Sequence, residues 1–227
     1  MLAIVDSKIP KAALVEFEKH VRVLPFRSSG IVYDAISGHT DIFFCQTPFG
    51  LVAAPNTPAE FLNKLQHLEV KLIPGSRKLD GKYPQTAHYN AFFSNTCLVH
   101  NTKITDSSIL ELACEVEIIN VKQGYTRCNL IEAEGLYITS DPSILEALTS
   151  AGKETFYVSP QGILLAGVKH GFFGGCAGYF NRKFFLVGNL CQLTEGRLLR
   201  KKLEERNVTM VELYRGPLFD VGGIAFT

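Results

Sequence analysis

The chain spells nearly the same nine residues twice, TDSSILELA at Thr105–Ala113 and SDPSILEAL at Ser140–Leu148. Both copies open on an aspartate where a helix N-cap belongs, and Pro142 stands where a first-turn proline is tolerated. The residues downstream of each copy match too. EVEIINV, the polar turn KQGYTR and CNLIEAEGLYITS come after the first; ETFYVS, a glycine-rich loop and CAGYFNRKFFLVGN come after the second. Each reads as a capped helix, an alternating strand, a loop, and two short strands joined by a tight Gly or Asn turn. No other feature constrains the fold as strongly, because a unit this short cannot close a core alone and must stack on its neighbours.

The same order of elements occurs three more times. PKAALVEFEKH leads into VRVLPF and DIFFCQTPFGLVAAP; TPAEFLNKLQH leads into LEVKLIPG and NAFFSNTCLVHN; TEGRLLRKKLEERN leads into VTMVELYRG and GGIAFT. The last unit ends one strand short, and LAIVDS at the N-terminus supplies a strand in the place that LYITS holds before its helix. The units are therefore offset circularly. One domain over residues 1–227 is expected, with repeats at 7–56, 57–105, 106–140, 141–193 and 194–227, the last completed by strand 2–6. The expected architecture is a five-bladed α/β propeller closed by pairing the N- and C-terminal strands, with short sheets inside and one helix per blade outside. A two-layer α/β sandwich would use the same elements. The constant element order favours the ring, although helix starts near residues 10, 58, 106, 141 and 194 make the third unit short.

Composition narrows the function. Twenty-three basic residues balance twenty-two acidic ones, and no Lys/Arg run forms the stripe that phosphate-backbone binding requires, so nucleic acid is not an expected partner. Apolar stretches such as GILLAGV fall far short of a bilayer span, and the apolar start MLAIV is too brief for a signal peptide. A soluble, cytoplasmic protein without a membrane partner is expected. Six cysteines lie far apart with no CxxC pair, which points to reduced thiols and gives a structural zinc site little support.

A five-fold ring of ββαβ units resembles the pentein, or guanidine-group-modifying-enzyme, fold. Within it SGHTDI, YNA, NVKQGYTRCN, GFFGGCAG and DVGGIAF resemble an uncharacterised bacterial family assigned to that fold, over essentially the whole chain. The resemblance implies enzymes that attack guanidine or amidine carbons with a cysteine thiolate, aided by a histidine and by carboxylates that hold the guanidinium. It equally implies non-catalytic members, among them a ribosome anti-association factor. The enzymes carry their cysteine in the final unit, where this chain has FDVGG, and their histidine in the third, where it has YTRCN. The standard catalytic set is therefore not matched.

Aligning the first hairpin strands by their apolar tails superposes Asp41, Asn90, Cys128, Cys176 and Gly222 as strand openings. In a ring, equivalent positions share a radius, so these residues are expected to converge on a small polar pocket, with His39, His88, Lys122, Gln123, Arg127, Gly175 and Asp220 around its mouth. Asp41 and His39 would share a strand face and could orient a cationic group; SGHTD also reads as a turn before a strand. Cys128 is the expected nucleophile, since Arg127 and Lys122 would favour its thiolate, and it also reads as a small buried hydrophobe. Cys176 lies among glycines at a crowded position, in a run that lacks the phosphate-loop pattern. His39, Asp41, His88 and Cys128 include metal-ligand types, but no close HxH or HxxxH spacing supports a metal, and no cofactor is expected. His20, His67 and His100 read as surface or satisfied structural residues. Two readings are open. One is a binder of a small polar, guanidine- or amidine-like molecule. The other is a cysteine-dependent hydrolase or transferase in which Cys128, His39 and Asp41 are catalytic, with His88 or His170 as other sources of the imidazole.

Overall fold

The computed structural model describes residues 1–227 and contains five small three-stranded sheets. The first joins β1 (Leu2–Asp6) and β2 (Arg22–Phe26) to β15 (Ala225–Phe226). The second holds β3 (Phe44–Thr47), β4 (Gly50–Ala53) and β5 (Leu72–Pro74); the third holds β6 (Phe92–Phe93), β7 (Cys97–His100) and β8 (Glu117–Asn120). β9 (Leu130–Ala133), β10 (Leu136–Thr139) and β11 (Glu154–Tyr157) form the fourth, and β12 (Ala177–Phe180), β13 (Lys183–Leu186) and β14 (Thr209–Glu212) the fifth. Every sheet has one pattern: an antiparallel pair of short strands, the second of which takes a third strand parallel to it. The parallel pairing requires a crossover, and a helix supplies it each time. In the sheet built from both termini, β1 pairs antiparallel with β15, with Ala3 opposite Phe226 and Ile4 opposite Ala225.

The five crossover helices are α1 (Lys11–Phe17), α3 (Ala59–His67), α4 (Ser107–Leu112), α6 (Pro142–Ser150) and α7 (Gly196–Glu204). The twin motifs find their explanation at α4 and α6. Asp106 caps Ser108 N at 3.0 Å, while Asp141 accepts from Ser143 N at 2.8 Å and Ile144 N at 3.0 Å. Each helix also sends its apolar stripe toward a neighbouring sheet. Phe17 of α1 packs tilted against Phe185 of β13 and edge-on against Phe226 of β15, at centroid separations of 5.1 and 6.3 Å. Leu65 of α3 shares a buried cluster with Leu24 and Phe26, Ile144 and Leu148 of α6 with Val99 and Ile119, and Leu199 and Leu203 of α7 with Leu136 and Ile138. Burial of one such side chain is worth about 1.5–3 kcal/mol, so helix and sheet of consecutive units hold one another. No helix is long and apolar enough to cross a membrane.

The hairpin strands start later than the sequence suggests. Asp41 lies in a short helix, α2 (Thr40–Phe43), and Cys128 in another, α5 (Thr126–Asn129). Cys176 closes a 3₁₀ turn at Gly174–Cys176, and Asn90 comes shortly after one at Gln85–Ala87. The strands proper open at Phe44, Phe92, Leu130, Ala177 and Ala225. A strand would alternate its side chains between two faces, whereas one helical turn at the strand entrance crowds several onto the same side.

Candidate functional site

The strand entrances bring Asp41, Asn90 and Cys128 into direct contact. The Cys128 thiol donates to Asp41 Oδ2 at 2.9 Å, Asn90 Nδ2 donates to Cys128 Sγ at 3.1 Å, and Cys128 N donates to Asn90 Oδ1 at 3.1 Å. Asp41 and Cys128 are each 4 % exposed and Asn90 is fully buried. α2 is held in place by the C-terminal segment: Asp41 N donates to Gly222 O at 3.1 Å, and Thr40 Oγ1 donates to the carbonyls of Gly222 and Gly223 at 3.0 and 3.1 Å.

His39, at the start of α2, is 1 % exposed. Its Nε2 lies 3.9 Å from Asp6 Oδ2 and its Nδ1 lies 4.0 Å from Asp220 Oδ1, beyond hydrogen-bonding reach. Neither ring nitrogen has a hydrogen-bond partner, and neither has Asp41 Oδ1. One His39 nitrogen, one Asp41 oxygen and Cys128 Sγ all fall within 4.8 Å of one another. The carboxylates beside the imidazole are fixed by backbone amides. Asp220 accepts from Phe172 N and Gly222 N, both at 2.9 Å, and Asp6 accepts from Lys8 N at 2.7 Å. Glycines make this packing feasible: a Cβ on Gly38 would overlap the Asp6 carboxylate, one on Gly175 that of Asp220, and one on Gly222, whose φ is +67°, would overlap His39.

Arg127 is the cation of the cluster. Its guanidinium donates to Gly174 O at 2.8 Å and Ala177 O at 3.1 Å, tying α5 to the entrance of β12. Asp41 and Asp220 lie within electrostatic reach of this guanidinium, while Asp6 feels Lys8 and Arg27, and burial dominates the electrostatics of all three acids. Burial, with the charge of Asp220 added, pushes Asp41 up to about 8. Burial likewise raises Asp220 to about 6 against its backbone hydrogen bonds, and Asp6 to about 6. His39 is pushed down to about 3 by burial and by the charge of Lys8, so it is neutral and its two carboxylate contacts are not ion pairs. Burial and the neighbouring Asp41 and Asp220 hold the Cys128 thiol well above its ordinary range. The expectation that Arg127 and Lys122 favour a thiolate thus fails, because desolvation and two acids outweigh one buried guanidinium.

The remaining expected residues divide. Asp220, Gly175 and Gly222 frame His39. Lys122 offers only its carbonyl, to Asn101, and its residue is exposed. Gln123 bonds Asp141 at 2.9 Å and Tyr125 N at 3.0 Å, which makes it a brace for the start of α6. Cys176 is buried in an apolar cluster and its thiol donates to Phe172 O. His88 bonds Ile104 O at 2.7 Å, and His170 bonds Gly171 O at 3.0 Å. His100 is fully satisfied between Thr105 Oγ1 and Gly124 O, both at 2.8 Å. Where a pocket is expected over Asp41, Asn90 and Cys128, the side chains bond one another instead. A cavity of about 650 Å³ is lined by residues that include Phe92, Arg127, Glu132, Tyr137 and Tyr179, so Arg127 borders it as well as the cluster.

Two contributors escape the sequence reading. Asp6 ends an otherwise apolar strand, and a buried charge in that position was the available signal. Tyr33, 44 % exposed, sits in the loop before His39, near enough to Cys128, Asp220 and Asp41 for their charges to raise its phenol, on top of the larger effect of burial. No local pattern marks it. No curated protein matches the chain in sequence. Residues 4–225 match the model of a Family of unknown function (DUF6873), and the chain belongs to that family.

Proposed function

We propose that the five sheets close into a pentein-type ring over residues 1–227, and that the protein is a binder of a small polar molecule carrying a guanidine- or amidine-like cation. The observation that carries the reading is Asp41 Oδ1, buried and without a hydrogen-bond partner, in a cluster where Asp41 and Asp220 share the one guanidinium of Arg127. A second planar cation would give Asp41 the paired, charge-assisted hydrogen bonds it lacks. Tyr33, 44 % exposed and within electrostatic reach of Asp41 and Asp220, supplies an aromatic ring near the cluster, a side chain that suits a cation.

The cysteine-hydrolase reading retains one observation, the approach of His39, Asp41 and Cys128 within 4.8 Å. Against it, the Cys128 thiol is buried, and burial together with the charges of Asp41 and Asp220 disfavours its thiolate.

A thermal-shift series with agmatine, arginine and benzamidine tests the binding reading. At 100 times its Kd a ligand stabilises the folded state by about 2.7 kcal/mol, so at least one of these compounds should raise Tm in a saturable way. Asp41→Asn should abolish the rise. No shift with any of them, or a shift that survives Asp41→Asn, contradicts the proposal.

A further inference from the structure

We infer that His39, Asp41 and Cys128 form a binding site for a divalent transition metal of the zinc class. The inference goes beyond the organic-ligand reading and does not rest on it.

Three features carry it. The first is the donor set: one imidazole nitrogen, one carboxylate oxygen and one sulfur, all within 4.8 Å of one another and all buried. Mixed N, O and S donors suit zinc and its neighbours, whereas calcium and magnesium select oxygen alone. Tetrahedral zinc bonds of about 2.0–2.3 Å place one N, one O and one S donor roughly 3.3–3.6 Å apart, so a separation of 4.8 Å has to contract by about 1.2–1.5 Å. The 2.9 Å gap between Cys128 Sγ and Asp41 Oδ2 must open by less than that.

The second feature is the unpartnered state of the donors. Both His39 nitrogens and Asp41 Oδ1 are buried without a hydrogen bond, in a protein whose other fully buried histidine, His100, is bonded through both nitrogens. The third is the pair of acids behind them. Asp6 lies 3.9 Å from one His39 nitrogen and Asp220 lies 4.0 Å from the other, so whichever nitrogen binds the metal, a carboxylate stands near the opposite N–H and would accept from it once the ring moves by about 1 Å. Asn90 Nδ2, 3.1 Å from Cys128 Sγ, would donate to the coordinated sulfur.

Binding displaces the Cys128 proton and, from the protonated carboxyl, that of Asp41. The Cys128 S–H and Asp41 O–H bonds break, both protons leave for the buffer, and lone pairs of the sulfur and the carboxylate oxygen enter the metal's coordination sphere. Three protein ligands leave a fourth position for water or an exogenous ligand, as in open zinc sites.

The test uses the full chain, stripped with a chelator and titrated with Co²⁺ and then Zn²⁺ in the absence of any guanidine. One cobalt per chain should bind with a thiolate-to-cobalt charge-transfer band in the near ultraviolet, bleached by one equivalent of zinc. The band should survive replacement of the exposed Cys114 and Cys191 by serine and vanish in Cys128→Ser. One of Asp6→Asn and Asp220→Asn, the one facing the nitrogen that does not bind the metal, should weaken zinc binding by about 10–100-fold. Should Cys128→Ser fail to fold, cadmium NMR of the wild-type chain reads the donor set directly and must report a single sulfur with nitrogen and oxygen. The inference is overturned by a wild-type chain that gives no band, by a band that persists in folded Cys128→Ser, or by a cadmium resonance without sulfur. Guanidine-induced shifts measured on the metal-free protein succeed or fail separately.

Discussion

Replacing Gly175 by alanine places one methyl group into the tightest part of the site. The backbone of Gly175 is not left-handed, so conformational strain is absent and the effect is steric: the new Cβ would overlap the carboxyl group of Asp220. Asp220 must then withdraw from Phe172 N and Gly222 N, each 2.9 Å away. Hydrogen bonds to a charged group are worth about 1.5–3 kcal/mol each, which sets an upper bound of about 3–6 kcal/mol for losing both. Local relaxation should bring the cost to about 3 kcal/mol, in line with overpacking of a closed core. For a chain of this size that corresponds to a fall in Tm of roughly 6–12 °C. Urea unfolding of wild type, Gly175→Ala, Asp220→Ala and the double variant closes the cycle. Because Asp220→Ala removes the obstacle, the double variant should be no less stable than Asp220→Ala alone, giving a coupling of about 3 kcal/mol. A Gly175→Ala variant within about 0.5 kcal/mol of wild type, or additive costs in the cycle, would refute the packing argument.

The same geometry sets other outcomes. In the folded protein at neutral pH, iodoacetamide should modify the exposed Cys114 and Cys191 and spare Cys128, as mass spectrometry of the digested protein would read; equal labelling of Cys128 would revive the hydrolase reading. Asp141→Ala should cost about 1 kcal/mol by chemical denaturation, because it removes the cap on Ser143 N and Ile144 N; no loss would show that α6 is held by packing alone. Asp106 has its acidity strengthened: burial pushes its carboxyl up, but hydrogen bonds from Arg77, Ser76 and Ser108 outweigh this and hold it below the ordinary value. Its stabilising contribution is therefore complete above the unfolded-state value of about 3.9 and is lost as pH falls through the lower folded-state value. Acid titration of wild type against Asp106→Asn should show this loss below about pH 4 in wild type only, and identical acid profiles would contradict it.

Much of the fold was legible because its signals are local. Aspartate caps, apolar stripes at helical spacing and short alternating strands mark each unit, and the place of LAIVDS before the first helix anticipates the pairing of β1 with β15. Strand entrances were not legible. The same residues serve a turn or a strand, and only the contact of Thr40 and Asp41 with Gly222, at the far end of the chain, selects the turn. The juxtaposition of Asp41, Asn90 and Cys128 emerged from aligning the units, since equivalent positions in stacked repeats fall near one another. The partners added by single units were hidden: Gln123 serves a helix start, Arg127 crosses to the carbonyls of another sheet, and Asp6 turns inward from the end of β1. Electrostatics misled the reading of Cys128, because neighbours in sequence announce Arg127 while Asp41 and Asp220 come from distant segments.

The most direct measurement is a crystal structure of the chain grown with whichever guanidine compound raises its Tm most. Binding at the buried acids predicts a planar cation paired with Asp41 Oδ1, with Tyr33 beside it and its loop displaced to admit it. A compound found instead in the cavity lined by Phe92, Tyr137 and Tyr179, with Asp41 bonded as before to Cys128 alone, would contradict the account.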